Sequence, residues 1–231
     1  MRMHSTVMPM PKLENDSYDW FARHDAKRRE AAAGNHPLIF IGDSITHLFE
    51  DTASEIKRGG AVWHHELARY RPFNLGYGWD RTQNVLCRLG DGEFEGQTPR
   101  LVVLLIGTNN LTGTQNAPTA TPEEIRDGVE AICRLILRKS PATRILNMGL
   151  FPRSTPQDPL RDRIRETNAL LERFTASMWN VAFMDIGARF LQPDGTISTA
   201  IMNDLVHPTE AGYRIWFDAI RPILDTVFDD A

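Results

Sequence analysis

The sequence predicts an α/β protein, with a parallel sheet carrying helices on both faces. Strand-like and helix-like segments alternate along the chain, the pattern such a sheet requires. Five short apolar runs each stop at a glycine or a polar residue, as fully buried parallel strands do. The chain has 231 residues, of which 42% are apolar. That length supports one substantial core and is short for two.

The first run, Leu38-Ile39-Phe40-Ile41, follows Pro37 and ends at Gly42. Phe73-Asn74-Leu75 leads into Gly76, Leu101 to Ile106 into Gly107, Arg144 to Met148 into Gly149, and Val181 to Met184 into Asp185. Between them, Asp16 to Ala33 and Arg81 to Leu89 read as helices. Thr121-Pro122-Glu123-Glu124 is a helix start, with Thr capping, Pro in the first helical position and Glu three after the cap. The helix continues through Ile125, Val129, Ile132 and Ile136 at 3-4 spacing. Leu160, Ile164, Leu171 and Phe174 mark another. Thr209 to Val227 is the last, with Pro222 expected to kink or shorten it. Residues 1–15, rich in Met and Pro, read as a loose N-terminal arm before a single domain spanning 16–231. Residues 113–121 are the most loop-like internal stretch.

Composition narrows the class. The formal net charge is -4, and Lys27-Arg28-Arg29 reads as a solvated helix face, so no nucleic-acid footprint is expected. No apolar stretch approaches the ~20 residues of a membrane span. The N-terminus lacks the apolar core of a signal peptide, which points to a cytoplasmic protein or a processed secreted form. Cys87 and Cys133 fall inside apolar helical patterns and read as buried free thiols.

Ligands of open parallel sheets sit beyond the carboxyl ends of the strands. Ser44 stands there, after the first strand and at the opening of a helix. A serine in that place is often only a cap. Asp204 and His207, three apart before the last helix, change the reading. A hydroxyl needs a base to take its proton, imidazole suits that near neutral pH, and a carboxylate fixes the ring's tautomer and orientation. Acyl transfer also needs oxyanion donors. Gly76, Asn109 and the Ser44 N–H are the candidates.

Four blocks combine these residues: Gly42-Asp43-Ser44-Ile45, Asn74-Leu75-Gly76-Tyr77-Gly78, Gly107-Thr108-Asn109-Asn110 and Asp204-Leu205-Val206-His207-Pro208. They resemble, in order, the blocks of the SGNH (GDSL-like) hydrolases. Arg88-Leu89 with Gly92-Glu93, and Gly149-Leu150-Phe151-Pro152-Arg153 with Pro159-Leu160-Arg161, are similar within that family to the catalytic subunits of intracellular platelet-activating-factor acetylhydrolase and to bacterial acetylesterases. The resemblance implies a three-layer α/β/α sandwich with a five-stranded parallel sheet, flavodoxin-like in arrangement. It implies Ser44 as nucleophile, His207 as base and Asp204 as its partner, with Ser44, Gly76 and Asn109 forming the oxyanion hole. It implies a small ester substrate, an acetylated carbohydrate or lipid-like molecule, and it raises a homodimer.

The expected activity is hydrolysis of short-chain, chiefly acetyl, esters through an acyl-serine, without metal or cofactor. Acyl transfer to another alcohol uses the same residues, and a non-catalytic binding module would have no need of Ser44, Asp204, His207 and Asn109 together. The nucleophile elbow of the α/β-hydrolases, Gly-x-Ser-x-Gly, is excluded by Thr46 in its last position. Two departures from the family stand out: Asn110 replaces a common Asp, and Trp79 a common small residue. Tyr77 and Trp79 are taken as substrate contacts that narrow the acyl site. His64-His65 lacks a third ligand at metal spacing. His47 reads as a helix-surface residue, Asp43 as a brace, and Asp80-Arg81 either as cleft lining or as a helix start.

Overall fold

The computed structural model describes residues 4–229. Its centre is one parallel sheet of β1 (Leu38–Gly42), β2 (Pro72–Gly76), β3 (Leu101–Leu105), β4 (Arg144–Met148) and β5 (Val181–Met184), in the order β2-β1-β3-β4-β5. β1 and β3 are buried along their whole length, which is why both are apolar throughout.

Seven α-helices surround the sheet among the described residues: α1 (Trp20–Ala33), α2 (Ser44–His47), α3 (Gly60–Val62), α4 (Thr82–Arg88), α5 (Pro122–Lys139), α6 (Leu160–Thr175) and α7 (Glu210–Phe228). The strand order reverses direction after β2. With right-handed crossovers, α2 and α3 therefore cover one face and α4, α5 and α6 the other. Packing agrees: α5 lies between α4 and α6, while α7 returns against α3. Phe40 of β1 packs with Phe49, Trp63 and Trp216 on the α3–α7 side.

Local signals account for the boundaries. Asp19 caps α1 by accepting from the Phe21 and Ala22 N–H groups, so the helix begins four residues later than Asp16. Thr121 and Glu124 form a reciprocal capping box on α5. α7 runs through Pro222 to Phe228 and is not shortened there; the Thr226 hydroxyl donates to the Pro222 carbonyl. Both cysteines are free; Cys133 is buried, whereas Cys87 is half-buried.

The arm expected to be loose is docked. Thr6 is buried and donates to the Glu124 carbonyl, His4 bonds Asp127, and the Asn84 amide donates to the Met10 and Pro11 carbonyls. The anchors are polar on both sides: arm side chains bond Glu124 and Asp127 of α5, and arm carbonyls accept from Thr82 and Asn84 of α4. Residues 1–3 of the arm lie outside the described residues. No helix among the described residues is long and apolar enough to cross a membrane.

Candidate active site

The chain adds strands on opposite sides of β1, β2 on one and β3 on the other, and the loops leaving β1 and β3 diverge there to open a cleft. Ser44 follows β1 and Asn109 follows β3, so both face this point. The cleft has a volume of about 450 Å³ and is lined by Ser44, His207, Asn109, Trp79, His47 and Arg153, among others. A groove of similar size, about 430 Å³, lies at the other end of the sheet against Leu101, Arg144 and Val181, the first residues of their strands. It contains none of the candidate residues.

Gly42 allows the nucleophile turn to fold tightly. A Cβ there would lie 2.4 Å from the Leu105 carbonyl and closer still to Thr46 Oγ1. Asp43 then caps α2 by accepting from the Ile45 N–H at 3.0 Å, as its reading as a brace anticipates. The carboxyl is buried, and that burial, reinforced by Asp80, pushes its pKa up to about 7 against the pull of the Ile45 N–H and Arg153.

Ser44 Oγ lies 2.9 Å from His207 Nε2, and His207 Nδ1 lies 2.7 Å from Asp204 Oδ2. The carboxylate can only accept, so the proton sits on Nδ1 and Nε2 is left to accept from the serine hydroxyl. Asp204 Oδ1 accepts from the backbone N–H groups of Val206 and His207. Burial opposes its ionisation, but the His207 backbone and ring N–H groups outweigh it and hold the carboxyl below its ordinary range. Leu205 adopts φ 61°, a left-handed turn that a branched side chain rarely takes, and this turn brings Asp204 under the ring.

Arg58, not identified from sequence, lines the cleft and holds this loop. One guanidinium nitrogen, NH1, donates to Asn203 Oδ1 and to the His207 and Pro208 carbonyls at 2.9–3.0 Å, and NH2 lies 3.9 Å from Asp204. It precedes α3 in a polar stretch with no periodicity, and only the fold brings it across 149 residues to His207.

The oxyanion donors divide differently from expectation. Asn109 is buried at the cleft wall, and one hydrogen of its amide is spent on the Asp80 carbonyl at 3.0 Å. The second is left for a ligand. Gly76 is not at the cleft surface: its N–H donates to Asn74 Oδ1 at 2.8 Å, and a Cβ would lie 2.2 Å from the His47 N. Its glycine serves close packing of β2 against α2. The backbone that reaches the cleft from β2 is Gly78-Trp79. Trp79 has φ 63°, and its N–H, like that of Ser44, has no partner among the described residues.

Of the two aromatic residues taken as substrate contacts, Trp79 lines the cleft and is 41% exposed. Tyr77 does not: it is fully buried, and its hydroxyl donates to Glu93 Oε1. Its ring faces the Arg88 guanidinium at 4.0 Å. Arg88 Nε donates to Asp80, NH1 to Glu93, and NH2 to the Leu75 and Gly42 carbonyls at the ends of β2 and β1. Trp20 Nε1 donates to Asp80, and His24 bonds Glu93. Burial works against charging His24, but its hydrogen bonds to Glu93 and Asp91 raise its pKa above the ordinary value. This buried set forms the floor beneath the loop that carries Trp79. Asp80 belongs to it, and Arg81 stands at the start of α4 with its N–H donating to Asn84 Oδ1; neither lines the cleft.

His47 lines the cleft and does not lie on an outer helix surface. Its ring meets Tyr18 edge-on at 4.8 Å, and burial followed by Arg23 lowers its pKa to about 3, so it is a neutral wall. Asn110 accepts from the Thr82 N–H and donates to Gln83, bracing the start of α4. Among the described residues no group of His, Cys, Asp and Glu has the arrangement of a metal site.

Residues 40–215 match the family model described as the GDSL-like lipase/acylhydrolase family. The chain belongs to that family. It is accordingly a carboxylic ester hydrolase. Among curated proteins it is similar to platelet-activating factor acetylhydrolase IB subunit alpha2 of Rattus norvegicus, with 32% identity over 84% of this chain and 78% of that one. Subunit alpha1 of the same organism is 31% identical over 95% of this chain and 88% of its own. Among solved structures it resembles one described as a putative platelet activating factor from Streptococcus pneumoniae. There the TM-score is 0.72 at 19% identity, over 88% of this chain and 92% of that one, a likeness of fold.

Proposed function

We propose that this family member is a serine esterase that cleaves short-chain, chiefly acetyl, esters through an acyl-serine intermediate. The observation that carries the proposal is the unbroken line from Asp204 through His207 to Ser44, ending in an open cleft.

In the first half-reaction Ser44 Oγ attacks the carbonyl carbon while its proton passes to His207 Nε2. The negative charge that develops on the carbonyl oxygen faces the free Asn109 amide hydrogen and the N–H groups of Ser44 and Trp79. Trp79 thus takes the place expected of Gly76. Collapse of the tetrahedral species breaks the ester bond, and the departing alcohol takes the proton from Nε2. Water then repeats the sequence on the acyl-serine, returning Ser44 and releasing the acid. Asp204 stays ionised and stabilises the imidazolium formed in each half.

The acetyl preference draws support from the relatives, whose names describe acetylhydrolases at 31–32% identity. The crowding of Trp79, Tyr18 and His47 around the cleft is consistent with a short acyl group. The test is Ser44→Ala with an aryl acetate as substrate. Turnover is expected to fall by several orders of magnitude, on the order of 10⁶ where a nucleophile has been removed from a full triad. A folded variant that keeps a tenth of the wild-type rate would overturn the assignment.

A further inference from the structure

Arg153 brings a positive charge into the cleft and has no ion-pair partner among the described residues. It lies in the loop after β4 and shares the cleft with Ser44, Asn109 and His207. Its one side-chain hydrogen bond runs from NH1 to Thr108 Oγ1 at 3.3 Å, and its Nε is buried with no acceptor. Asp43, Asp158 and Asp204 act on it only from beyond ion-pairing distance among the described residues. The other arginines near the site are satisfied differently. Arg88 has two carboxylates, and Arg58 has three oxygen acceptors on the base loop.

The Arg153 backbone is held in place. Arg161 donates to the carbonyls of Arg153 and Ser154, and Ser154 N–H donates to the Leu205 carbonyl. Its guanidinium is therefore presented by a fixed loop. Keeping an arginine partly out of water without a counter-ion is costly, and the native structure accepts that cost at the cleft wall.

We propose that Arg153 is the binding site for an anionic group, a carboxylate or a phosphate, on the alcohol half of the substrate. This rests on the short-acyl reading, because an acetyl group carries no charge and the anion must then lie beyond the ester oxygen. A guanidinium meets either anion through two parallel N–H donors. Arg58, the other cation lining the cleft, is committed to the base loop and to Asp204, and the remaining charges favour one side. Asp16 stands beside Gly78, on the wall built from the β2 loop, whereas Arg153 belongs to the β4 loop across β1 and β3. An anion is repelled from the first wall and drawn to the second.

The test measures binding to the Ser44→Ala protein by chemical-shift titration, with three acetyl esters as probes. 2-Acetoxyethyl phosphate and 3-acetoxypropanoate carry the two anions, and 2-methoxyethyl acetate is neutral. At least one anionic ester is expected to bind about tenfold or more tightly than the neutral one, and the larger preference identifies phosphate or carboxylate. Adding Arg153→Gln should abolish the preference, and Arg153→Lys should keep part of it. In the Ser44→Ala protein alone, the preference should shrink as ionic strength rises from about 0.05 to about 0.5 M. Equal binding of all three esters, or a preference that survives Arg153→Gln, overturns the proposal; so does a preference indifferent to salt. Turnover of the same esters by the wild-type protein is a separate measurement and decides the esterase reading independently.

Discussion

Arg58 and Asp43 are the side chains whose chemistry most affects the candidate site without entering the reaction. Arg58 joins Asn203, His207 and Pro208 through one end of its guanidinium. Arg58→Met is expected to lower kcat more than it raises KM, because the loop carrying the base loosens while the other lining residues of the cleft keep their own supports. Arg58→Lys should restore little, since an ammonium lacks the planar fork that reaches several acceptors at once. Steady-state kinetics of both variants checks this, and equal losses in kcat and substrate affinity would move Arg58 into substrate binding. Asp43 offers a titration. Its folded pKa of about 7 lies above the ordinary carboxylate value of 3.8, so between those limits the folded protein holds a proton that the unfolded chain releases. Stability contributed by this group must therefore fall as pH rises from about 4 to about 7. Asp43→Asn keeps the acceptor for the Ile45 N–H and removes the titration. Urea denaturation across that range should show the variant gaining on the wild type as pH rises; a constant difference would place the Asp43 pKa outside the window.

Among the helices, α5 illustrates a boundary written into the chain. Thr121 Oγ1 accepts from the Glu124 N–H, and Glu124 Oε2 accepts from the Thr121 N–H. Thr121→Ala leaves an orphan donor and is expected to cost about 1 kcal/mol, the usual loss for such a cap. Chemical denaturation measures it, and activity should be retained because α5 lines no part of the cleft. The cap, the proline at the first helical position and the 3-4 apolar spacing were all legible because they are local. The docked N-terminal segment was not legible. Its Thr6 and His4 bonds reach residues more than a hundred positions away, and no periodic pattern announces them.

Across the whole molecule, the walls of the cleft come from distant parts of the chain. Tyr18 precedes α1, His47 ends α2, Trp79 follows β2, and Arg153 follows β4. Acetyl and propionyl esters are expected to be cleaved much faster than octanoyl esters. Each added methylene would favour binding by about 0.8 kcal/mol if there were room, but a crowded wall costs about 1–3 kcal/mol. A p-nitrophenyl ester series from about two to about twelve carbons, compared by kcat/KM, checks it. A rise toward octanoate would refute the short-acyl reading and leave the triad geometry untouched.

Sequence by itself determined the five strands, the main helices and the residues that end β1, β3 and the loop before α7. These depend on patterns a few residues long: apolar runs that need burial, caps that satisfy local donors, and an Asp–His pair within one turn of each other. The same short-range logic failed after β2. There Tyr77 and Trp79 follow the glycine two apart and look equivalent, but a buried arginine, two carboxylates and a histidine draw Tyr77 into the floor. A left-handed turn sends Trp79 into the cleft. It was also tertiary structure that diverted the Gly76 N–H to Asn74, brought Arg58 to the base loop and left Arg153 without a counter-ion. Each of those outcomes depends on which polar groups from remote elements come within hydrogen-bonding distance, and only the packed sheet and its loops decide that.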